Sequence, residues 1–213
     1  MSTGRIFRIL RCTAIPGAML CASTTPAAAQ VEFGPVLGVY VPTASFAPAS
    51  YYLTSLPTDP GDLAGIMAGG TARIWLGRIG IQGEYTVAGS HVGGGTDPGG
   101  IAPSRAASVH TATAQALFRL TPGPGRSRKA AWLSLGLARI THGGSAYSGL
   151  SDLSDVGGVF GAAGAWPLPA HLAFEAGLSG LIYGMHVRDA QGVVLEHGRQ
   201  LDFQIRTGLT WRP

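Results

Sequence analysis

The chain is 213 residues long, and Asp, Glu, Lys and Arg make up 12% of it, about half the share usual in soluble domains; its 33 glycines are about twice the usual share. A soluble barrel or sandwich of this size needs more charge to cover its outside, so the composition speaks against one. The net charge is +4 and the pI near 9.4, but the basic excess is concentrated at the N-terminus and implies no nucleic-acid partner.

That N-terminus, "MSTGRIFRILRC", carries Arg5, Arg8 and Arg11 and no acid. The apolar stretch "TAIPGAMLCA" follows, and "TTPAAAQ" puts Ala27 and Ala29 before a cut preceding Gln30. Residues 1–29 read as a secretory signal peptide and residues 30–213 as one exported domain. Cys21 follows Leu20 where a lipobox needs a small residue, so lipidation is not expected. Without the three leader arginines, 12 basic residues face 11 acids, a net charge of about +1. Cys12 and Cys21 both lie in the leader, so the mature chain is expected to hold no disulfide, thiol ligand or thiol nucleophile.

From Val31 onward, apolar alternation recurs in segments of about ten residues bounded by turn chemistry, the pattern of membrane-spanning strands. The first segment is "VEFGPVLGVYVP" (Val31 to Pro42), with Phe33, Leu37, Val39 and Val41 on one face. The second, "GIMAGGTARIWL" (Gly65 to Leu76), and the third, "IGIQGEYTVAGS" (Ile79 to Ser90), form a tight hairpin across Gly77 and Arg78. The fourth is "VHTATAQALFRL" (Val109 to Leu120) and the fifth "AAWLSLGLARIT" (Ala130 to Thr141). The sixth, "VGGVFGAAGAWP" (Val156 to Pro167), opens the stretch nearest in length to a membrane helix, but Pro167 and Pro169 interrupt it. The seventh is "LAFEAGLSGLIY" (Leu172 to Tyr183) and the eighth "RQLDFQIRTGLTW" (Arg199 to Trp211).

Eight is an even number, as bacterial outer-membrane barrels require. The connections after the second, fourth and sixth segments are short, whereas the other four run from about fourteen to over twenty residues. That alternation puts both termini and the short turns at the periplasmic end. It also exposes the Gly-, Pro- and Ser-rich loops within 43–64 and 91–108 to external protease. Inside a bilayer every backbone N–H and C=O must be paired, so strands survive there only in a closed sheet. The apolar face then points to lipid. Leu201, Phe203, Ile205 and Leu209 are expected outside, with Asp202, Gln204 and Arg206 filling the tube alongside a lumen of mostly Gly, Ala, Ser, Thr and Gln. Trp75, Phe118, Trp132, Trp166 and Trp211 fall beside the short turns, and Tyr40, Tyr147 and Tyr183 toward the long loops, which reads as two aromatic girdles.

With its opening "VEFGPVLGVYVPTA", the eight-segment rhythm and the alternating final strand near Trp211, the mature chain resembles the small outer-membrane β-barrel proteins of the OmpA/OmpX transmembrane-domain type. The resemblance implies an all-β, eight-stranded antiparallel up-and-down transmembrane β-barrel in the cell outer membrane. It also implies insertion by the barrel-assembly machinery and contact with outer-membrane lipid and lipopolysaccharide. One departure is that Arg212 and Pro213 follow Trp211, where such chains usually finish on an aromatic residue.

Few residues suggest chemistry. Lipid A-modifying barrels use a His/Ser pair at the outer rim, and "RITHGGSAYSG" offers His142 and Ser145; the deacylase pattern, however, wants serine two residues after the histidine, where Gly144 stands. His91, His110, His171, His186 and His197 are scattered singly without metal-ligand spacing. "GGGTDPGG" (Gly93 to Gly100) lacks the Gly-Lys-Ser/Thr ending of a phosphate loop. "SDLSD" (Ser151 to Asp155) offers only two carboxylates to a cation, and "RSRK" (Arg126 to Lys129) reads as a solvated turn. No catalytic, metal or cofactor site is expected.

The lumen is more telling. Arg73, Glu84, Glu175 and Arg206 each lie about three to five residues from the short-turn end with inward alternation, so two acids and two bases are expected in one layer. Glu32 and Arg119 lie near the same mouth, and Asp202 higher. Charges in a narrow tube must pair, and pairing would plug it. The sequence thus reads as a monomeric, non-enzymatic barrel with a structural or surface-interaction role; the alternatives are a lipid A-modifying enzyme and a small-solute pore.

Overall fold

A computed structural model describes residues 29–43, 64–92, 96–97, 100–101, 105–121, 129–189, 191–192 and 194–213. Residues 1–28, which hold nearly all of the expected signal peptide, most of the first long loop and the turn "PGPGRSR" (122–128) lie outside the described residues. The chain forms eight long strands, β1 (Gln30–Pro42), β2 (Gly65–Leu76), β3 (Ile79–Val92), β4 (Arg105–Arg119), β5 (Ala130–Gly143), β6 (Ser154–Pro167), β7 (Leu172–Asp189) and β8 (Val194–Trp211). Each pairs antiparallel with the next, and β8 returns to pair with β1, so the sheet closes.

The register sets the shape of the tube. Following the rungs from Glu32 through Arg73, Gln82, Gln115, Gly136, Val159, Leu181 and Asp202 returns to β1 at Pro42, ten residues above the start. With eight strands and ordinary sheet spacings, that stagger tilts the strands by about 42°. Period-two alternation then does the sorting. On β8, Asp202, Gln204, Arg206 and Thr210 are buried, while Leu201, Ile205, Leu209 and Trp211 are exposed. Phe33, Leu37, Ile66, Ile81, Leu135, Leu137, Phe160, Leu178 and Ile182 carry the same exposed apolar face around the other strands. Projected on the axis at this tilt, these side chains span about 25 Å, the height of a lipid-facing belt.

Turn chemistry closes the short end. Gly77, with φ of +69°, and Arg78 join Leu76 to Ile79 in a two-residue hairpin, and glycine at the first central position suits the type II′ turn that matches strand twist. At the other end the strands run further than their alternation suggested. β4 begins at Arg105, and β7 and β8 pair through Arg188 and Val194 with a bulge after Val187. The seventh connection is therefore mostly ladder, because cross-strand hydrogen bonds continue past the membrane, where no apolar face is needed to hold a pair together. The fifth connection holds a short 3₁₀ turn at Ser145–Tyr147 and a short pairing of Leu150 and Ser151 with Asp189 and Arg188.

The interior keeps the polar lumen that the sequence suggested and adds to it: in the long-loop half, buried Thr86, Thr111, Asp155, Asp202 and Gln204 alternate with an apolar cluster that includes Val36, Tyr40, Met67, Ile140, Val159, Leu181, Tyr183 and Met185. Where both ends of a narrow tube are filled by side chains, apolar groups pack there without any demand for hydrogen bonds.

Candidate functional site

The site is the lumen at its short-turn half. Glu32 on β1 and Arg73 on β2 occupy one rung, so the register itself sets them side by side, Nη1 to Oε2 at 3.7 Å. From that position Arg73 reaches across the tube to Glu175 on β7. Arg206 on β8 likewise crosses to Glu84 on β3 and lies 4.0 Å from Glu175 through Nη2. Arg73, Glu84, Glu175 and Arg206 are thus joined through Glu175 into one buried network, none more than 6% exposed.

Glycine makes the crossing possible. The two rung partners of Arg206 are Gly38 and Gly177, and a Cβ at Gly177 would stand 3.2 Å from the Arg206 Nε. Neighbouring polar groups complete the carboxylates: Thr210 Oγ1 donates to Glu175 Oε2 at 3.1 Å, and Gln82 Nε2 to Glu84 at 3.2 Å. Glu32 is also held from the short-turn side by Arg212, whose Nε lies 3.1 Å from Oε1.

A floor of aromatic rings lies beneath. Trp75 and Trp132 are each 1% exposed and meet edge to face at 5.8 Å. The Arg119 guanidinium lies 4.1 Å over the Trp75 ring and that of Arg73 4.6 Å over Trp132, so both cations face a π system and Arg73 is shared between carboxylates and a ring. This corrects the two-girdle expectation. Phe118, Trp166 and Trp211 do lie outside, but Trp75, Trp132, Tyr40, Tyr147 and Tyr183 point into the tube. Trp75 stands two residues from Arg73, and residues two apart share a face, so one of them cannot face lipid while the other faces the lumen.

At the long-loop mouth, Asp202 accepts from Tyr40 and, at 2.6 Å, from the Tyr183 hydroxyl. His142 faces Tyr183 at 3.5 Å and packs against the Tyr147 ring. A cleft of about 20 Å³ remains among these groups, room for about one water. Ser145 is turned elsewhere: its Oγ accepts from the Ala106 N–H at 3.1 Å, and no general base is seated against it among the described residues. Among the described residues no cluster of three His, Cys, Asp or Glu could hold a metal, and no helix is long and apolar enough to cross a membrane, which leaves strand spans untouched.

No family model matches the sequence, and no curated protein is similar to it in sequence. Solved structures do match. Neisserial surface protein A superposes over 87% of this chain and 99% of its own with a TM-score of 0.54 at 13% identity. The attachment invasion locus protein Ail of Yersinia pestis, in complex with the heparin analogue sucrose octasulfate, covers 87% and 97% of the two chains (TM-score 0.46, 13% identity). A major outer membrane protein of Thermus thermophilus covers 87% and 100% (TM-score 0.45, 13% identity). The chain has the fold of the small eight-stranded outer-membrane β-barrels.

In this outer-membrane barrel fold, alternation extended to the strand ends would have found what the sequence reading missed. Arg212 lies two residues beyond Thr210 and so falls inside, and Tyr40 lies eight beyond Glu32 on the same face. What alternation cannot supply is the partner. That Arg206 meets Glu84, 122 positions away in sequence, depends on closure and stagger of the whole tube.

Proposed function

We propose that the chain is an exported, monomeric outer-membrane barrel with a closed lumen, serving a structural or surface-interaction role rather than catalysis. The observation that carries this reading is the pair of stacked obstructions in the short-turn half: the Trp75–Trp132 floor and, above it, four arginines and glutamates bonded wall to wall. An eight-stranded tube has an interior only wide enough for its side chains, and here they cross it. The reading also takes in the expectations drawn from the sequence: processing before Gln30, insertion by the assembly machinery, short turns in the periplasm and long loops outside.

Planar-bilayer recording on the purified full-length mature protein tests the closed lumen. The expected record is silent or shows only rare, brief openings; a large steady conductance would establish a pore instead. Mass analysis of lipid A from cells with and without the protein tests the absence of catalysis, and a changed acyl pattern would overturn it.

A further inference from the structure

The outward face is almost wholly apolar or small, and apart from Thr207 within the belt of β8 and Arg199 above it, its polar residues cluster. Tyr85, His110, Arg139, Thr141 and Ser154 all lie on the lipid side of β3 to β6, toward the long-loop end. Tyr85 shares a rung with Ala112 and Ala112 with Arg139; two rungs higher, His110 pairs with Thr141, and Thr141 with Ser154. Five polar side chains thus occupy two successive outward-facing rungs across four strands, within reach of one another. They are joined in two groups. Tyr85 Oη lies 2.9 Å from His110 Nδ1, Arg139 Nε donates to Ser154 Oγ at 2.9 Å, and that oxygen lies 3.1 Å from Thr141 Oγ1.

The patch is one-sided. At the stated tilt Ile66, Ile182 and Leu201 stand within about 5 Å of the same height on the other flank, and all three are exposed hydrophobics. Arg139 lies only about 5 Å below the upper edge of the apolar belt, where a charged side chain on the lipid face costs far less than at the midplane. Among the described residues no carboxylate pairs with it. With Nε engaged by Ser154, its two terminal amino groups form a fork of the kind that matches oxyanions. Directly below, a shallow open groove runs along the outside past Phe33, Pro35, Gly70, Ala72 and Gly83 to Tyr85, floored by small residues and walled by rings.

We infer that this flank binds a phosphorylated glycolipid of the outer leaflet. Arg139 takes the headgroup phosphate, the hydroxyls of Thr141 and Ser154 and the Tyr85–His110 pair bond to phosphate and sugar, and the groove below Tyr85 takes an acyl chain. The charge is complementary to the anion that the interface offers, and headgroup patch and groove meet at Tyr85, as two parts of one lipid molecule require. The inference rests on the proposed outward placement of the long loops and is independent of whether the lumen conducts.

The test uses the full-length mature protein in neutral maltoside micelles, titrated with bisphosphorylated lipid A, with the same lipid dephosphorylated, or with inorganic phosphate. The readout is the thermal unfolding midpoint, followed by heat-modified gel migration. Bisphosphorylated lipid A should raise the midpoint at low concentration, the dephosphorylated lipid only at higher concentration, and inorganic phosphate not at all. Arg139→Gln should raise the half-saturating concentration of the phosphorylated lipid about tenfold and leave the dephosphorylated lipid unaffected, with Arg139→Lys in between. His110→Gln supplies a second variant should Arg139→Gln fail to fold, with a smaller loss expected. Equal titrations for parent and variants would overturn the inference, as would an equal response to both lipids. A response to inorganic phosphate alone would replace it with a free-anion site. A conducting lumen would defeat the proposed function while leaving these titrations as they are.

Discussion

Arg206 illustrates how much one side chain can be made to do in a lumen. It is 3% exposed, bonds Glu84 and approaches Glu175, so its removal leaves Glu84 buried without its cation. Breaking a buried pair from one side costs about 3–5 kcal/mol, most of it from the charge left behind, whereas removing both partners spares that penalty. Arg206→Ala and Glu84→Ala should each lower the unfolding free energy in urea by about that amount, and the double variant should lose distinctly less than their sum. Additive losses would show that the two residues do not act as a pair. The four lumen residues were legible from alternation and from their distance to the short turns, but Glu84 as the partner of Arg206 was not. Both facts have one cause: facing is a local property of a strand, whereas pairing across a tube depends on which residues closure brings to one height.

At the scale of the element, glycines divide by the face they occupy. Gly38 points inward on β1, where an added Cβ would stand 2.1 Å from the Ile205 carbonyl oxygen and 3.0 Å from Met67 Cε. Gly83 faces lipid on β3, with nothing within 4 Å of its Cβ position. Gly38→Ala should cost about 1–3 kcal/mol through overpacking, while Gly83→Ala should be neutral or stabilise by up to about 1 kcal/mol, because it restricts the unfolded chain and fills open space. Parallel urea titrations compare the two; a loss at Gly83 equal to that at Gly38 would refute the assignment of faces. Strand ends were the least legible part of the elements. β7 and β8 continue as a ladder past Tyr183 to Arg188, because their hydrogen bonds persist after the lipid-facing alternation that reveals a strand has ended.

For the whole molecule the governing length is the belt of about 25 Å, set by strand number and stagger. A bilayer with a hydrocarbon core of about 30 Å must thin to meet it, at a cost of fractions of a kcal/mol per ångström of mismatch. The protein should therefore be more stable in vesicles of saturated twelve-carbon phosphatidylcholine than in those of eighteen-carbon lipid, as read from urea midpoints. Equal midpoints in the two would contradict the belt height.

The sequence by itself determined the class of the molecule: scarce charge, abundant glycine, eight alternating segments and their unequal connections leave a closed sheet in lipid as the physical solution, because unpaired backbone groups cannot remain in hydrocarbon. It also determined which side of each strand faces inward, since that needs only period two. Tertiary structure alone decided what the inward residues do. The ten-residue stagger places Trp75 beside Trp132, sends Arg73 to Glu175 and Arg206 to Glu84, and gathers Tyr40 and Tyr183 on Asp202. Tyr183 and Asp202 meet within one hairpin; the other contacts exist because closing the sheet with one particular register brings distant strands to a common height in a tube too narrow for their side chains to avoid one another.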